Sequence, residues 1–411
     1  MRVASRLVFL ALACVASTAA TAASDDARLE IVLMRHGVRS PTKPTATYVD
    51  YALGTWPEWP VAPGQLTAHG RDGMRSIGKQ SHRLVVADGA MGKGCPASSS
   101  LVVVGDSTPR NRDSSVALLA GMTPGCDIGY LATDGDTNNP LFHFRKDEND
   151  DDDGTAATVR PPVALAELQS LLLDCAGSSC ADAAKRGGKR LLPADTGKAM
   201  KLAGTLSENL MLAYAEGMPM NLVAFGRGDG VLLGRLIALH NAQFDATKKA
   251  MPAAARAGSN LVAHIAATFD AALGKKPSVE PLVTSKRGVV VLVGHDTNLA
   301  NVAGVLGLDW HDRKRPDDYP PGGAIVLSLV THEGHDAIRI RSLMPDMDQL
   351  RANHFDGMKA QPVRIAGCRL VGECTVEEFR AMVEHGVDTT RVDAALPPMV
   401  QTIGRALPRS L

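Results

Sequence analysis

The strongest constraint on the fold is an apolar run that leads directly into a basic cluster. The run from Leu29 to Met34 is followed without a gap by Arg35 to Lys43, whose sequence is RHGVRSPTK. A short, nearly continuous apolar run is typical of a strand that is buried on both faces of an α/β sheet. The cluster then lies at the strand's C-terminal end, where open α/β sheets bind ligands. The sequence therefore predicts an α/β fold with a ligand crevice beside this cluster.

The residue types in this cluster indicate phosphate chemistry. Arg35 and Arg39 flank His36, and each guanidinium offers fixed, always-charged donors that suit an oxyanion. An imidazole nitrogen can attack phosphorus, so we interpret His36 as a nucleophile. Gly37 would let the backbone approach an anion closely. A lone histidine beside a strand is more often structural, so the interpretation needs further support from the chain.

Two other strand-like runs also end in polar residues. Leu101 to Val104 is followed by Asp106 to Asp113, and Val289 to Val293 is followed by Gly294 to Asn298, whose sequence is GHDTN. The ends of three strands would thus place charged side chains in one crevice.

The strings RHGxRxP and GHDTN, each after an apolar strand, resemble the two signatures of the histidine acid phosphatases. The resemblance implies an α/β fold, namely a discontinuous α/β sandwich domain with a mainly α-helical insertion domain. It also implies a nucleophile, His36, and a general acid, Asp296. The implied phosphate ligands are Arg35, Arg39, Arg110 and His295. Arg110 is favoured over Arg112 because it matches the family's third phosphate-binding arginine when the segment 120–126 is aligned.

The resemblance also bears on the substrate. Thr42 and Lys43 match bacterial phytases, in which the lysine reaches a second phosphate of inositol hexakisphosphate, and Met218 lies in a segment that resembles their helical domain. We therefore expect Thr42, Lys43 and Met218 to be secondary substrate residues. A phytase or broad acid phosphatase is favoured over a glucose-1-phosphatase. A phosphoglycerate mutase and a non-catalytic phosphate-ester binding protein are the alternatives from other classes.

The middle of the chain changes character. Helical periodicity covers Val163 to Leu173, Thr196 to Ala215, Gly230 to Phe244 and Pro252 to Leu273. We expect a helical insertion at 146–275 between two parts of the catalytic domain, 23–145 and 276–411. Within it, the acidic run 146–154 is expected to be a solvated loop and His240 a packed helix residue.

The N-terminus has the pattern of a secretory signal peptide. Arg2 and Arg6 precede the apolar stretch Leu7 to Val15, and Ala20 to Ala22 fits a cleavage site, so the predicted signal is 1–22. We expect the protein to be exported to the periplasm or secreted from the cell. The residues before Cys14 fit a lipoprotein signal poorly.

Six of the seven cysteines remain after the signal. They permit 15 disulfide connectivities, and a metal site is less favoured because no C-x-x-C pair occurs. Proximity in sequence and the family resemblance both favour three pairs: Cys95 with Cys126, Cys175 with Cys180, and Cys368 with Cys374.

Composition limits the partners. The 44 basic residues balance the 44 acidic ones, so no global positive field exists to attract nucleic acid. The expected partner is a small-molecule phosphate monoester held by locally concentrated arginines. We expect no cofactor, no metal and no membrane or nucleic-acid partner, and we expect a monomer.

Overall fold

The computed structural model describes residues 26–135, 137–143, 163–176, 179–183, 189, 191, 196–332 and 334–402. The predicted signal peptide at 1–22 and the acidic run at 146–154 lie outside the described residues.

The described strands form one large mixed sheet and one small ribbon. Their bounds are β1 Ala27–Arg35, β2 Leu101–Gly105, β3 Tyr130–Ala132, β4 Gly288–Gly294, β5 Leu308–Asp309, β6 Ala324–His332, β7 His335–Leu343, β8 Gln361–Pro362, β9 Arg364–Ile365, β10 Glu373–Thr375 and β11 Val400–Thr402. The large sheet has the order β10-β7-β6-β1-β4-β2-β3-β11, with β8 beside β7. Strands β1, β4, β2 and β3 are parallel neighbours, whereas β6 pairs with β1 in the antiparallel sense.

Helices cover the sheet and fill the interval between β3 and β4. Their bounds are α1 Ala68–Ala87, α2 Pro109–Met122, α3 Val163–Leu173, α4 Cys180–Ala183, α5 Thr196–Ala215, α6 Gly230–Leu236, α7 Ala238–Phe244, α8 Ala253–Ala272, α9 Asp296–Leu306, α10 Met347–Ala352 and α11 Val376–Gly386. The prediction of one helix from Gly230 to Phe244 was wrong, because the chain forms two helices that meet at Ile237. The ψ of Ile237 is −18°, close to that of a 3₁₀ turn. The apolar periodicity continues across this turn and gave no sign of it.

The large sheet is buried on both faces. On β1, Val32 and Met34 belong to a core cluster that contains Met74 of α1, whereas Ile31 and Leu33 belong to a second cluster that contains Leu299 of α9. Alternate side chains of one strand therefore enter different cores, which explains why the run from 29 to 34 is apolar throughout. The predicted α/β fold class is confirmed.

Three disulfides join Cys95 to Cys126, Cys175 to Cys180 and Cys368 to Cys374. In the described part of the chain, no helix combines the length and the apolar character that crossing a membrane requires.

Candidate active site

The three polar strand ends meet at one edge of the sheet. Strand β4 lies between β1 and β2 and is parallel to both. Backbone hydrogen bonds continue beyond the strands: the His36 N–H donates to the Gly294 carbonyl at 2.9 Å, and the Asp106 N–H donates to the Val293 carbonyl at 3.0 Å. The topology therefore brings residues from about 35, 106 and 295 into contact although they are far apart in the sequence.

Helix α1 supports the first motif from behind. A Cβ added at Gly37 would lie 2.6 Å from Met74 Cγ and 2.8 Å from the Gly70 carbonyl oxygen. The close approach of α1 therefore requires glycine here, and the approach of an anion to Gly37 stays a prediction. The helix begins after Thr67, whose Oγ1 accepts a hydrogen bond from the Gly70 N–H at 2.8 Å.

His36 is held in one tautomer. Its ring is buried, and its Nδ1 lies 2.8 Å from the Gly37 carbonyl oxygen. Because a carbonyl oxygen can only accept, Nδ1 carries the proton and Nε2 keeps its lone pair. Burial, followed by the positive charges of Arg110, Arg35 and Arg39, holds the pKa of His36 well below its usual range. The imidazole is thus neutral and has a free basic nitrogen, as a nucleophile requires.

Arg35 and Arg39 converge on a buried carboxylate. Arg35 donates through Nη2 to Glu208 and through Nη1 to the Tyr319 carbonyl. Arg39 Nη2 lies 3.0 Å from Glu208 Oε1 and 3.2 Å from Oε2. Although burial opposes ionisation, Arg39 and Arg35 lower the pKa of Glu208, so its carboxylate is charged. Glu208 therefore neutralises two guanidiniums proposed to bind phosphate.

The sequence interpretation missed Glu208. It lies in the middle of α5, between the buried residues Leu206 and Leu210. No basic residue stands three or four positions away on the helix to pair with it. This pattern could have indicated a long-range ion pair, because an acidic residue on an apolar helix face needs a partner from elsewhere in the chain.

Arg110, His295 and Asp106 form a second group. Arg110 Nη2 lies 3.2 Å from His295 Nδ1, and His295 Nε2 lies 2.8 Å from Asp106 Oδ2. Arg112 points elsewhere, since it donates to the carbonyls of Ser107 and Thr133 at 2.8 and 2.7 Å. This placement favours Arg110 over Arg112 as a substrate ligand.

Asp296 is the first residue of α9 and contacts Arg35. Its Oδ2 lies 2.9 Å from Arg35 Nη2, and its Oδ1 accepts from the Thr297 N–H at 2.8 Å. Burial would raise the pKa of Asp296, but Arg35, His240 and Arg39 hold it well below its usual range. The carboxylate is therefore ionised while Arg35 remains its partner.

The three predicted secondary substrate residues differ in their exposure. Thr42 and Lys43 are exposed, and a Cβ added at Gly64 would lie 3.9 Å from Thr42 Cα and 3.8 Å from Arg110 Nη1. Thr42 therefore lies near Arg110. Met218 is buried, and its carbonyl accepts from Arg351 at 2.9 Å, so the structure gives it a packing role.

His240 is buried in α7 and stacks on Phe244 with ring centroids 4.2 Å apart, as a packed helix residue does. Its ring also approaches Glu208 and Asp296. It therefore belongs to the layer that supports the charged groups.

These groups together suit phosphoryl transfer. A neutral imidazole with a free nitrogen lies among three guanidiniums, and a carboxylate stands beside one of them. Positioned cations stabilise the charge that spreads over the equatorial oxygens of a transferring phosphoryl group.

Comparison with known proteins places the chain among phosphatases. No protein-family model matches the chain. It is 30% identical over 399 residues to phytase AppA of Escherichia coli strain K12, which covers 86% of this chain and 90% of the relative. It is 27% identical to a glucose-1-phosphatase of Salmonella typhimurium, which covers 86% of this chain and 91% of that protein.

Solved structures show the same fold. The apo form of Hafnia alvei phytase superimposes with a TM-score of 0.76 at 28% identity, covering 90% of this chain and 99% of that chain. That phytase has also been solved in complex with myo-inositol hexakis sulphate, with a TM-score of 0.76 at the same identity and coverage.

Proposed function

The chain belongs to the histidine acid phosphatase family and is a phosphomonoesterase, and we propose that it works through a phosphohistidine formed on His36, with Asp296 as general acid. The contact between His36 Nδ1 and the Gly37 carbonyl at 2.8 Å is the observation that carries this proposal, because it leaves Nε2 free for attack. The proposed ligands of the transferred phosphoryl group are Arg35, Arg39, Arg110 and His295.

In the first step, His36 Nε2 attacks phosphorus in line with the ester oxygen. The P–N bond forms as the P–O ester bond breaks, and the leaving alkoxide takes a proton from Asp296. Asp296 is ionised while it pairs with Arg35, so substrate binding has to change that pairing. A phosphate oxygen that pairs with Arg35 draws this guanidinium away from Asp296, which raises the pKa of Asp296 and lets it take up a proton from solvent before the bond breaks.

In the second step, water attacks the phosphohistidine. Asp296 is now a carboxylate and accepts the proton of that water, and the P–N bond breaks to release inorganic phosphate and neutral His36. The acid of the first step is the base of the second, so Asp296 ends the second step protonated. It returns this proton to solvent when phosphate leaves and the carboxylate pairs with Arg35 again.

For the substrate, we propose an inositol phosphate. The relatives include a phytase that is 30% identical and another that has been solved with an inositol hexakis sulphate. In this chain, exposed Lys43 follows Thr42, which lies near Arg110, so its ammonium could meet a second phosphate of a polyphosphorylated ring. The glucose-1-phosphatase relative supports a sugar phosphatase as the second candidate.

The export proposal has separate support. Three disulfides occur in the structure, and such bonds persist in oxidising compartments. Together with the signal-like segment at 1–22, they favour the periplasm or the exterior of the cell. The monomeric state stays a prediction.

Product analysis tests the function directly. The purified enzyme in EDTA should release phosphate steadily from p-nitrophenyl phosphate, and kcat/KM for phytate should exceed that for glucose 1-phosphate. A higher kcat/KM for glucose 1-phosphate would assign a sugar phosphatase. Binding of p-nitrophenyl phosphate without hydrolysis would contradict an enzymatic function altogether.

A further inference from the structure

His143 adds a second imidazole to the carboxylate that supports His295. Its Nε2 lies 3.2 Å from Asp106 Oδ2, and the His295 Nε2 lies 2.8 Å from the same oxygen. The two rings have centroids 4.9 Å apart. The phosphomonoesterase mechanism uses His295 but assigns nothing to His143.

Two imidazole nitrogens and one carboxylate are the donor set of many zinc sites. All three ligand atoms lie within 4.8 Å of one another. Ligands bonded to zinc at about 2.0 to 2.1 Å in tetrahedral geometry stand roughly 3.3 Å apart, close to the two separations that the structure shows. An ion would also have to displace the Asn111 amide, whose Nδ2 lies 2.8 Å from His295 Nε2 and 3.0 Å from Asp106 Oδ2.

Two buried oxygens in this group lack a hydrogen bond. Asp106 Oδ1 and Asn111 Oδ1 are both buried, and no donor among the described residues pairs with either. Buried acceptors are normally paired. Each of these oxygens belongs to a side chain whose other terminal atom contacts His295 Nε2, so a rotation of either side chain would offer its free oxygen to a cation there. The His143 side chain is 38% exposed, which gives an ion access from solvent.

We propose that His143, Asp106 and His295 form an inhibitory site for a divalent transition metal ion such as Zn²⁺. Each imidazole would bind the ion through the lone pair of Nε2, so that the ring proton would stand on Nδ1. The N–H on His295 Nδ1 would then face the Arg110 guanidinium, whose Nη2 lies 3.2 Å from Nδ1. Two hydrogen-bond donors would point at each other and repel. The ion would therefore break the contact between two of the proposed phosphate ligands, Arg110 and His295, and displace them from the positions in which they would bind phosphate.

A second cluster of similar composition is less suited to a metal. Glu208, His240 and Asp296 also bring ligand atoms together, but Arg35 contacts both of these carboxylates and Arg39 contacts Glu208. Guanidiniums already neutralise those oxygens, and they would repel an added cation.

The test is a direct titration of the mature protein, without a polyhistidine tag, with Zn²⁺ by calorimetry and with Co²⁺ by visible absorption. We expect one ion per chain and inhibition of p-nitrophenyl phosphate hydrolysis with the same midpoint. His143→Asn keeps an N–H donor for Asp106 but cannot replace the imidazole ligand, so its midpoint should rise about tenfold or more. The matched control is His311→Asn, because His311 also pairs with an aspartate, Asp318, at 3.0 Å, and its midpoint should not move.

Absence of saturable binding, or equal affinity in the His143→Asn variant, would overturn the proposal. If that variant does not fold, the proposal can still be tested on the wild type, whose affinity for inorganic phosphate should fall when Zn²⁺ is bound. An unchanged phosphate affinity would also overturn the proposal. Since ion binding is measured without substrate, these results are independent of the catalytic role proposed for His36.

Discussion

Arg35 Nη2 lies 2.9 Å from Asp296 Oδ2, so the arginine proposed to bind phosphate also controls the charge of the residue proposed to supply the proton. The two functions are coupled through one guanidinium. On the proposed mechanism, a substrate phosphate that engages Arg35 would raise the pKa of Asp296 at the step that needs its proton.

The acid role of Asp296 predicts a dependence on the leaving group. Asp296→Asn should slow phosphorylation of the enzyme by an alkyl phosphate about 10²- to 10⁴-fold. The loss on p-nitrophenyl phosphate should be far smaller, because its leaving group scarcely needs a proton. Rapid-quench single turnovers measure this step apart from dephosphorylation. Equal losses on the two substrates would count against the acid role.

Glu208 should act as an internal substitute for the substrate's negative charge. Glu208→Gln leaves buried Arg35 and Arg39 less well neutralised, and removal of one partner of a buried pair costs about 3 to 5 kcal/mol of unfolding free energy. Inorganic phosphate should therefore raise the Tm of this variant more than that of the wild type.

The matched control is Glu167→Gln, since Glu167 pairs with Arg235 at 2.6 Å where both side chains are partly exposed. Solvent screens that pair, so its loss should cost little stability and should not change the response to phosphate. An equal phosphate response in Glu208→Gln and the wild type would show that Glu208 does not balance the phosphate-binding arginines.

Glu30 predicts a pH dependence of stability. Burial and the nearby Asp88 raise the pKa of Glu30 from 4.5 to about 7, although Arg341 Nη2 lies 3.0 Å from it. Arg341 also pairs with Asp88 at 2.6 Å, so one guanidinium faces two carboxylates. The folded chain keeps the Glu30 proton where the unfolded chain has lost it. This contribution is therefore complete below pH 4.5 and is lost as the pH rises to about 7.

Urea unfolding across this pH range checks the effect. The wild type should lose roughly 1 to 3 kcal/mol relative to Glu30→Gln, whose amide does not titrate and leaves Arg341 paired with Asp88. Parallel stability curves for the two proteins would contradict the assignment to Glu30.

The sequence predicted what local patterns encode. Apolar runs indicated β1, β2 and β4, and the polar residues after them identified the edge at which the site lies. Glu208 and His143 were missed because their roles depend on contacts across 169 positions to Arg39 and 37 positions to Asp106. Such pairs arise from tertiary packing, which no local pattern records. Ile237 was missed for the opposite reason, since a single turn left the helical periodicity intact.

Lys43 tests the choice of substrate. A lysine that meets a second phosphate makes no contact with a substrate that has one, so Lys43→Ala should lower kcat/KM for phytate and spare glucose 1-phosphate. One charge-assisted contact is worth roughly 1 to 2 kcal/mol, or about five- to thirtyfold. Lys93→Ala is the control, because exposed Lys93 precedes β2 and lies toward the opposite edge of the sheet. Equal losses on both substrates would assign Lys43 to general phosphate attraction.

Trapping of the covalent intermediate tests the nucleophile most directly. The enzyme is mixed with a labelled phosphate monoester and quenched, and the denatured protein is analysed for phosphohistidine by its stability in base and by peptide mapping. We expect the label on the peptide that contains His36 in the wild type and in His385→Ala, an exposed histidine at the end of α11. His36→Ala should fold and carry no label. Label that persists in His36→Ala, or that maps to another residue in the wild type, would contradict the phosphohistidine mechanism.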